Sequence, residues 1–289
     1  MASKKKEVIL GLVQMRCEEA PGENLDHALT CIVEAAREGA EAICLQELFR
    51  SRYFCQTNNQ KFFELAEPVP GPTTEAICKV ARDKKVVVVA SLFEKEAAKY
   101  FNTACVIDAD GKFLGKYRKV HIPDDPQNYY SEKFYFTPGD LGFKVFQTRY
   151  GKIGTLVCWD QWFPEGARAL AVQGVEIIFY PTAIGWQVGG DQELGKAEYE
   201  AWMTVQRGHA ISNTVFVAAT NRTGAEDRLN FWGGSFVTDP LGRIVGQASH
   251  DQEENLIVSC DLGHIEEVRK DWPFLRERRT DVYETVCKS

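Results

Sequence analysis

Hydrophobic positions along the chain alternate between two spacings, one typical of strands and one typical of helices. Residues 7–15 form a short apolar stretch that predicts a strand. Residues 24–38 carry apolar side chains three and four positions apart, which predicts a helix with one buried face. A second strand is predicted over 42–45. This order with short links is typical of a sheet whose neighbouring strands run parallel.

The same alternation continues through the rest of the chain. Further helices are predicted from 73 to 84 and over 164–174, 196–213 and 264–270. Further strands are predicted over 86–94, 102–108, 112–120, 143–146, 153–157, 175–181 and 215–221, with a closing meander over 232–239, 243–248 and 255–260. Residues 124–142 and 182–195 are expected to be irregular.

Two facing sheets with helices on their outer sides would bury all of these strands. The sequence therefore predicts an α/β fold, a single four-layer α-β-β-α sandwich spanning residues 1–289. The polar tail from about 272 to 289 is too weakly apolar to form a domain. We expect it to pack on a neighbouring subunit.

Three side chains that could take part in catalysis lie at the ends of predicted strands: Glu47, Lys119 and Cys158. Active groups collect at strand ends in sheets of this kind, and amides at a helix end favour a thiolate. Taken singly, each residue has an ordinary alternative: a solvated carboxylate, an exposed lysine or an inert buried thiol. Their shared placement indicates a cysteine nucleophile with partners.

Composition narrows the class of protein. A net charge of −7 and a pI near 5.4 argue against nucleic acid or an anionic membrane as the main partner. The nine cysteines are scattered, without C-x-x-C pairs or zinc-ligand spacing, so we expect reduced thiols, a cytoplasmic protein and no metal. The basic N-terminus lacks the apolar segment of a signal peptide, and no stretch is long enough to cross a bilayer. We therefore expect no membrane anchor.

Three segments carry a resemblance to a known family. They are 45–49 (LQELF), 117–121 (YRKVH) and 156–160 (LVCWD). In this order they resemble the signature segments of the nitrilase, or carbon–nitrogen hydrolase, superfamily. The resemblance implies an αββα sandwich, a triad of Glu47, Lys119 and Cys158, no cofactor, and homo-oligomers of two or more subunits.

The chemistry of these residue types agrees with that implication. Glu47 can take the proton of the Cys158 thiol, and Lys119 with a backbone amide near Trp159 can stabilise the oxyanion formed by attack on a carbonyl. Glu132 matches a second glutamate found in many family members. Its implied role is to orient Lys119 or the substrate nitrogen, with a surface carboxylate as the alternative.

A finer resemblance concerns the substrate. Residues 121–126 (HIPDDP), 129–136 and 181–186 resemble the N-carbamoylputrescine amidohydrolases of polyamine biosynthesis, which implies cleavage of a ureido group to putrescine, carbon dioxide and ammonia. The cationic end of such a substrate favours carboxylates and aromatic faces. The candidates are Tyr53, Asp124, Asp125, Trp159, Trp186 and Glu193. Asp124 and Asp125 equally fit turn chemistry beside prolines, and residues 187–197 depart from the pattern of the plant enzymes.

Three alternatives remain open. A β-ureidopropionase or N-carbamoyl amino acid amidohydrolase acts on a carboxylate substrate and needs a fixed arginine, for which Arg50, Arg52 and Arg222 are candidates. An ω-amidase is less consistent with the Asp124-Asp125 loop. A non-enzymatic interaction module is disfavoured by the intact triad.

Overall fold

The computed structural model describes residues 7–287 and resolves them into strands and helices. The strands are β1 (Glu7–Gln14), β2 (Ala42–Leu45), β3 (Val87–Glu96), β4 (Lys99–Ile107), β5 (Phe113–Arg118), β6 (Val145–Thr148), β7 (Gly151–Thr155), β8 (Ile177–Thr182), β9 (Gly185–Gln187), β10 (Phe216–Asn221), β11 (Thr223–Glu226), β12 (Leu229–Trp232), β13 (Phe236–Thr238), β14 (Ile244–Gln247) and β15 (Glu254–Asp261). The α-helices are α1 (Pro21–Arg37), α2 (Pro72–Lys84), α3 (Pro164–Val172), α4 (Gln192–Asn213) and α5 (Gly263–Asp271).

Two six-stranded sheets form the centre of the fold. The first has the order β15-β1-β2-β3-β4-β5 and the second the order β14-β13-β10-β8-β7-β6. Strands β1, β2 and β3 run parallel, as do β7, β8 and β10. Parallel neighbours need crossover connections, which the helices supply. Each sheet therefore has a parallel centre with antiparallel strands at its edges.

Three apolar cores separate four layers. One core lies between the sheets, a second joins the first sheet to α1 and α2, and a third joins the second sheet to α3 and α4. In β3, Val87 and Val89 face the other sheet, whereas Val88 and Ala90 face the helices. A strand covered on both faces needs this nearly continuous apolar sequence. The predicted α-β-β-α sandwich is confirmed.

Two details of the strand pairing differ from the prediction. The closing meander is split, because β13 and β14 belong to the second sheet while β15 crosses over to pair with β1 in the first. A small third sheet of β11, β12 and β9 also occurs, partly within the segment expected to be irregular. Its strands are only three or four residues long, so they leave little periodic signal.

The C-terminal segment leaves the sandwich after α5. A 3₁₀-helix covers Thr280–Cys287, and Trp272, Phe274, Tyr283 and Val286 are exposed. In residues 7–287 there is no helix long and apolar enough to cross a membrane.

Candidate active site

Lys119 lies between two carboxylates at the ends of the strands. Its Nζ is 2.9 Å from Oε1 of Glu47 and 2.6 Å from Oε2 of Glu132, and all three side chains are fully buried. Burial disfavours the ammonium, but the carboxylates of Glu132 and Glu47 outweigh burial and hold the pKa of Lys119 well above its ordinary value. The lysine is therefore a fixed cation inside the protein.

The backbone of Lys119 is held as firmly as its side chain. Lys119 directly follows β5, where its N–H donates to the carbonyl oxygen of Asn102 at 2.8 Å and its carbonyl accepts from the N–H of Gly139 at 2.8 Å. A Cβ atom at Gly139 would lie 2.1 Å from the carbonyl oxygen of Arg118. Only glycine allows the loop to approach the strand end this closely.

One oxygen of the Glu47 carboxylate is held and the other is free. Oε1 accepts from Lys119 and from Nδ2 of Asn102 at 2.7 Å. Asn102 is fixed in turn, since its Oδ1 accepts from the Ser91 hydroxyl at 3.1 Å. Within the described residues, Oε2 of Glu47 is buried without a hydrogen-bond partner. A buried, unpaired carboxylate oxygen is available as a proton acceptor.

Cys158 begins a short 3₁₀-helix, Cys158–Trp162, three residues after β7. Its backbone has a φ of 42°, a left-handed conformation that is strained for a side chain larger than glycine. Burial raises the pKa of the thiol well above its ordinary value, and the Glu47 carboxylate raises it further while Lys119 opposes the rise. This environment favours the neutral thiol over the thiolate.

Asp160 holds this strained turn together and was not singled out by the sequence. Its Oδ2 accepts from the backbone N–H of Val157 at 3.0 Å and from the Tyr117 hydroxyl at 2.7 Å. Its Oδ1 accepts from the backbone N–H of His121 at 3.0 Å and lies 2.7 Å from the ring Nδ1. Asp160 lies two positions after Cys158, in the same signature segment. Membership of that segment was the only feature of the sequence that pointed to a role for it.

Tyr53 lies behind Glu132 and is buried. Its hydroxyl donates to Oε1 of Glu132 at 2.7 Å, so both oxygens of this carboxylate have donors. Burial raises the pKa of Glu132 to about 7; the Lys119 ammonium opposes this rise and the Glu47 carboxylate adds to it. The structure thus brings Glu132 to the cluster, and Tyr53 contacts that carboxylate.

The three carboxylates predicted to receive a cationic substrate have other partners. Asp125 caps a short 3₁₀-helix, accepting from the backbone N–H of Asn128 at 3.3 Å. Asp124 is exposed, 3.7 Å from Nζ of Lys133. Glu193 is 83% exposed and lies 2.7 Å from Nζ of Lys196. A role for these three in binding substrate stays a prediction.

The two predicted tryptophans are partly buried. The rings of Trp159 and Trp162 lie 6.4 Å apart in an edge-on arrangement. Trp186 belongs to β9 and lines a cleft of about 690 Å³ formed with the start of α4. Glu198 lines the same cleft, and no motif or spacing in the sequence pointed to it. Sγ of Cys158 lies 3.9 Å from the carbonyl oxygen of Ala183, three residues before Trp186.

Across residues 7–287, no group of three or more His, Cys, Asp or Glu side chains is arranged to hold a metal ion. The cluster of Glu47, Lys119, Glu132 and Cys158 offers acid–base and nucleophilic groups. This combination is suited to addition of a thiol to a carbonyl carbon.

Comparison with known proteins gives the class of this chain. Residues 9–270 match the carbon–nitrogen hydrolase family, and the chain belongs to that family. It is 42% identical to an N-carbamoylputrescine amidase from Arabidopsis thaliana, over 98% of this chain and 96% of the relative. It is 37% identical to a citrullinase from Francisella tularensis, over 96% and 98% of the two chains.

A solved structure has the same architecture. The crystal structure of a carbon–nitrogen hydrolase from Helicobacter pylori G27 superposes with a TM-score of 0.94 at 42% identity, covering 99% of both chains. Fold and family together make this protein an enzyme that hydrolyses carbon–nitrogen bonds other than peptide bonds.

Proposed function

We propose that this protein hydrolyses N-carbamoylputrescine to putrescine, carbon dioxide and ammonia, with Cys158 as the nucleophile. The observation that carries the proposal is the buried cluster in which Lys119 contacts both Glu47 and Glu132. Similarity to N-carbamoylputrescine amidases over nearly the whole chain supports the substrate.

In the first half of the reaction, Glu47 takes the thiol proton as Cys158 attacks the ureido carbon. The raised pKa of the Cys158 thiol makes this base necessary, because little thiolate is present at neutral pH. Negative charge develops on the ureido oxygen, and Lys119 with the backbone N–H of Trp159 stabilises it. Preorganised donors of this kind are worth on the order of a hundredfold to a thousandfold in rate.

Collapse of the tetrahedral adduct breaks one carbon–nitrogen bond. Glu47 returns its proton to the departing ammonia, which leaves the carbonyl carbon, still carrying the putrescine nitrogen, bound through sulfur to Cys158 as an N-(4-aminobutyl)carbamoyl group. Glu47 then takes a proton from water, and the hydroxide attacks the same carbon. The carbon–sulfur bond breaks, the thiol regains its proton, and the released carbamic acid loses carbon dioxide to give putrescine.

Glu132 acts through Lys119 in this scheme. Its carboxylate fixes the ammonium opposite Glu47, and the Tyr53 hydroxyl fixes Glu132. Lys119 is thereby kept charged and oriented before the substrate arrives. We assign Glu132 and Tyr53 as positioning residues.

The three arginines that could bind a substrate carboxylate already have partners within the protein, which favours a cationic substrate over an anionic one. Arg222 is fully buried and donates to the carbonyl oxygens of Glu47 and Leu48 at 2.7 and 3.2 Å. Arg50 pairs with Glu67, and Arg52 pairs with exposed acidic residues on the protein surface. All three arginines suggested for a substrate carboxylate are thus already paired. This observation speaks against the β-ureidopropionase alternative.

The proposal is tested by ammonia release from N-carbamoylputrescine, N-carbamoyl-β-alanine and glutaramate in parallel. We expect the highest kcat/KM with N-carbamoylputrescine and no activity for Cys158→Ala. Cys78→Ala, at a half-buried thiol on α2, is the matched control and should retain activity. Preference for an anionic substrate would contradict the proposed substrate, and full activity of Cys158→Ala would contradict the nucleophile.

We further propose a cytoplasmic homo-oligomer in which the C-terminal tail contacts a neighbouring subunit. The exposed Val282 and Val286 support this, since apolar side chains on a terminal segment gain from being covered. The eight cysteines whose side chains the structure describes, from Cys17 to Cys260, are free thiols, which favours a reducing compartment. Light scattering should give an oligomer that dissociates in a Val282→Ser, Val286→Ser variant; a monomeric wild type would contradict the assembly.

A further inference from the structure

We infer that Glu198, with the indole of Trp186, forms the subsite that receives the terminal ammonium of the substrate and so determines its preference for a cation. This inference rests on the proposed function, because it assigns the selectivity of that same site. Both residues line the cleft of about 690 Å³ between β9 and the start of α4.

Glu198 is the one carboxylate of this cleft with no competing partner in the described part of the chain. Two other charged side chains line the cleft, Asp191 and Lys196. Asp191 caps α4 by accepting from the backbone N–H groups of Glu193 and Leu194 at 2.8 and 3.0 Å. Lys196 is paired with Glu193. Among residues 7–287, the Glu198 side chain has neither a hydrogen bond nor an ion pair.

The surroundings of Glu198 favour a bound cation. Gly195 precedes it by three residues on α4, so both residues share one face of the helix. The Trp186 indole packs on this face, donating through Nε1 to the carbonyl oxygen of Gly195 at 3.0 Å. A Cβ atom at Gly195 would lie 2.8 Å from Cδ1 of the indole, so glycine allows this close packing. An ammonium at this position has a carboxylate and an aromatic face together.

Tyr130 links this subsite to the reacting groups. Its hydroxyl is hydrogen-bonded to the backbone of Gly185, accepting from the N–H at 3.2 Å and lying 3.4 Å from the carbonyl oxygen. Burial raises the pKa of the Tyr130 phenol, and negative charge on Cys158 raises it further. The Glu198 carboxylate has the same effect, so the tyrosine lies within electrostatic reach of both the nucleophile and the acid.

Glu198 is an exposed residue, and the loss of part of the water around its carboxylate raises the pKa of the carboxyl, because no partner replaces that water. A substrate ammonium would supply that partner. The four methylenes between the ureido group and the ammonium would then cross the space beside Tyr130.

The test compares N-carbamoylputrescine with N-butylurea, which has the same chain length but no ammonium. Glu198→Gln should lower kcat/KM for N-carbamoylputrescine by about 10- to 100-fold, mainly through KM, the range expected for losing a hydrogen bond to a charged group. Activity on N-butylurea should be unchanged. Glu200→Gln, an exposed carboxylate two residues further along α4, is the matched control and should behave as wild type.

A charge reversal sharpens the test. Glu198→Lys should depress N-carbamoylputrescine turnover further and improve turnover of N-carbamoyl-γ-aminobutyrate. Equal losses on N-carbamoylputrescine and N-butylurea in Glu198→Gln would overturn the inference, because the residue would then serve the fold or the chemistry. Full retention of N-carbamoylputrescine hydrolysis would overturn this inference alone. Absence of that activity from the wild type would overturn the proposed function as well.

Discussion

The Lys119 ammonium and the Glu132 carboxylate form an ion pair of 2.6 Å with both side chains shielded completely from solvent. Removing two charges from water can cost more free energy than the attraction between them returns. A buried ion pair is therefore weak evidence for stability. Glu47 on the other side of the ammonium makes the arrangement a buried row of alternating charge. The free-energy cost of burying this row of charges is consistent with a functional site.

Removing the central cation should destabilise the protein strongly. Lys119→Met leaves Glu47 and Glu132 as buried carboxylates without their counter-charge, a change that typically costs about 3–5 kcal/mol. Urea unfolding at pH 8 should show this loss, and ammonia release should be abolished. Part of the stability should return at pH 5, where a carboxylate can protonate. Lys133→Met, at an exposed lysine, is the control; equal effects of the two variants would contradict the argument.

The titration of Glu132 should be visible in the pH dependence of stability. Its folded pKa of about 7 lies above the ordinary value of 4.5, so the folded protein holds this proton more tightly than the unfolded chain. The associated stability is present below pH 4.5 and is lost as pH rises toward 7.

Glu132→Gln removes this titration. The urea midpoint of the wild type should fall more steeply between pH 5 and pH 8 than that of the variant. Glu64→Gln, at an exposed glutamate, should keep the wild-type slope. Parallel slopes for wild type and Glu132→Gln would show that the carboxyl does not titrate in this range.

The turn that presents Cys158 should depend on Asp160. Asp160→Asn replaces one acceptor oxygen by an NH2 group, so either the two donors to Oδ2, the Val157 N–H and the Tyr117 hydroxyl, or the His121 donors to Oδ1 lose their partner, at a cost of about 1–3 kcal/mol. Because this acts on the placement of sulfur, kcat should fall while KM changes little. Tyr117→Phe, which removes one donor and leaves the backbone bond, should lower kcat less. A change confined to KM would contradict a positioning role.

The sandwich was predictable because its strands are covered on two sides. Runs such as Val87 to Val89 allow no solvated face, and the alternation of helices and strands then leaves few ways to arrange two sheets. The pairing of β15 with β1 joins residues more than 240 positions apart, Glu7 with Asp261. Nothing in the local sequence distinguishes this pairing from a meander within the second sheet.

The sequence predicts the site residues that belong to a family motif. It does not predict those whose role depends on how the folded chain packs around them. Glu47, Lys119 and Glu132 come together as their segments implied. Asp125 has the right charge for a cationic substrate, yet its carboxylate is used by a local cap. Glu198 carries no motif, and only the lack of a partner across the described chain distinguishes it.

The last prediction concerns Arg222 and tests whether this arginine has a structural role or binds the substrate. Its guanidinium donates to the carbonyl oxygen of Glu47 at 2.7 Å and to Oε1 of Glu226 at 2.8 Å, both inside the protein. Arg222→Met would leave the Glu226 carboxylate buried without its counter-charge, for a loss of about 3–5 kcal/mol in urea unfolding. It would also loosen the backbone that carries Glu47.

Activity should therefore fall for every substrate alike, since the displaced group is the base and not a specificity contact. Arg37→Met, at an exposed arginine of α1, should leave both stability and activity unchanged. The measurement is kcat/KM for N-carbamoylputrescine, N-butylurea and N-carbamoyl-β-alanine with each variant. A loss confined to N-carbamoyl-β-alanine would instead make Arg222 the receptor of a substrate carboxylate, and the preference for a cationic substrate would have to be abandoned.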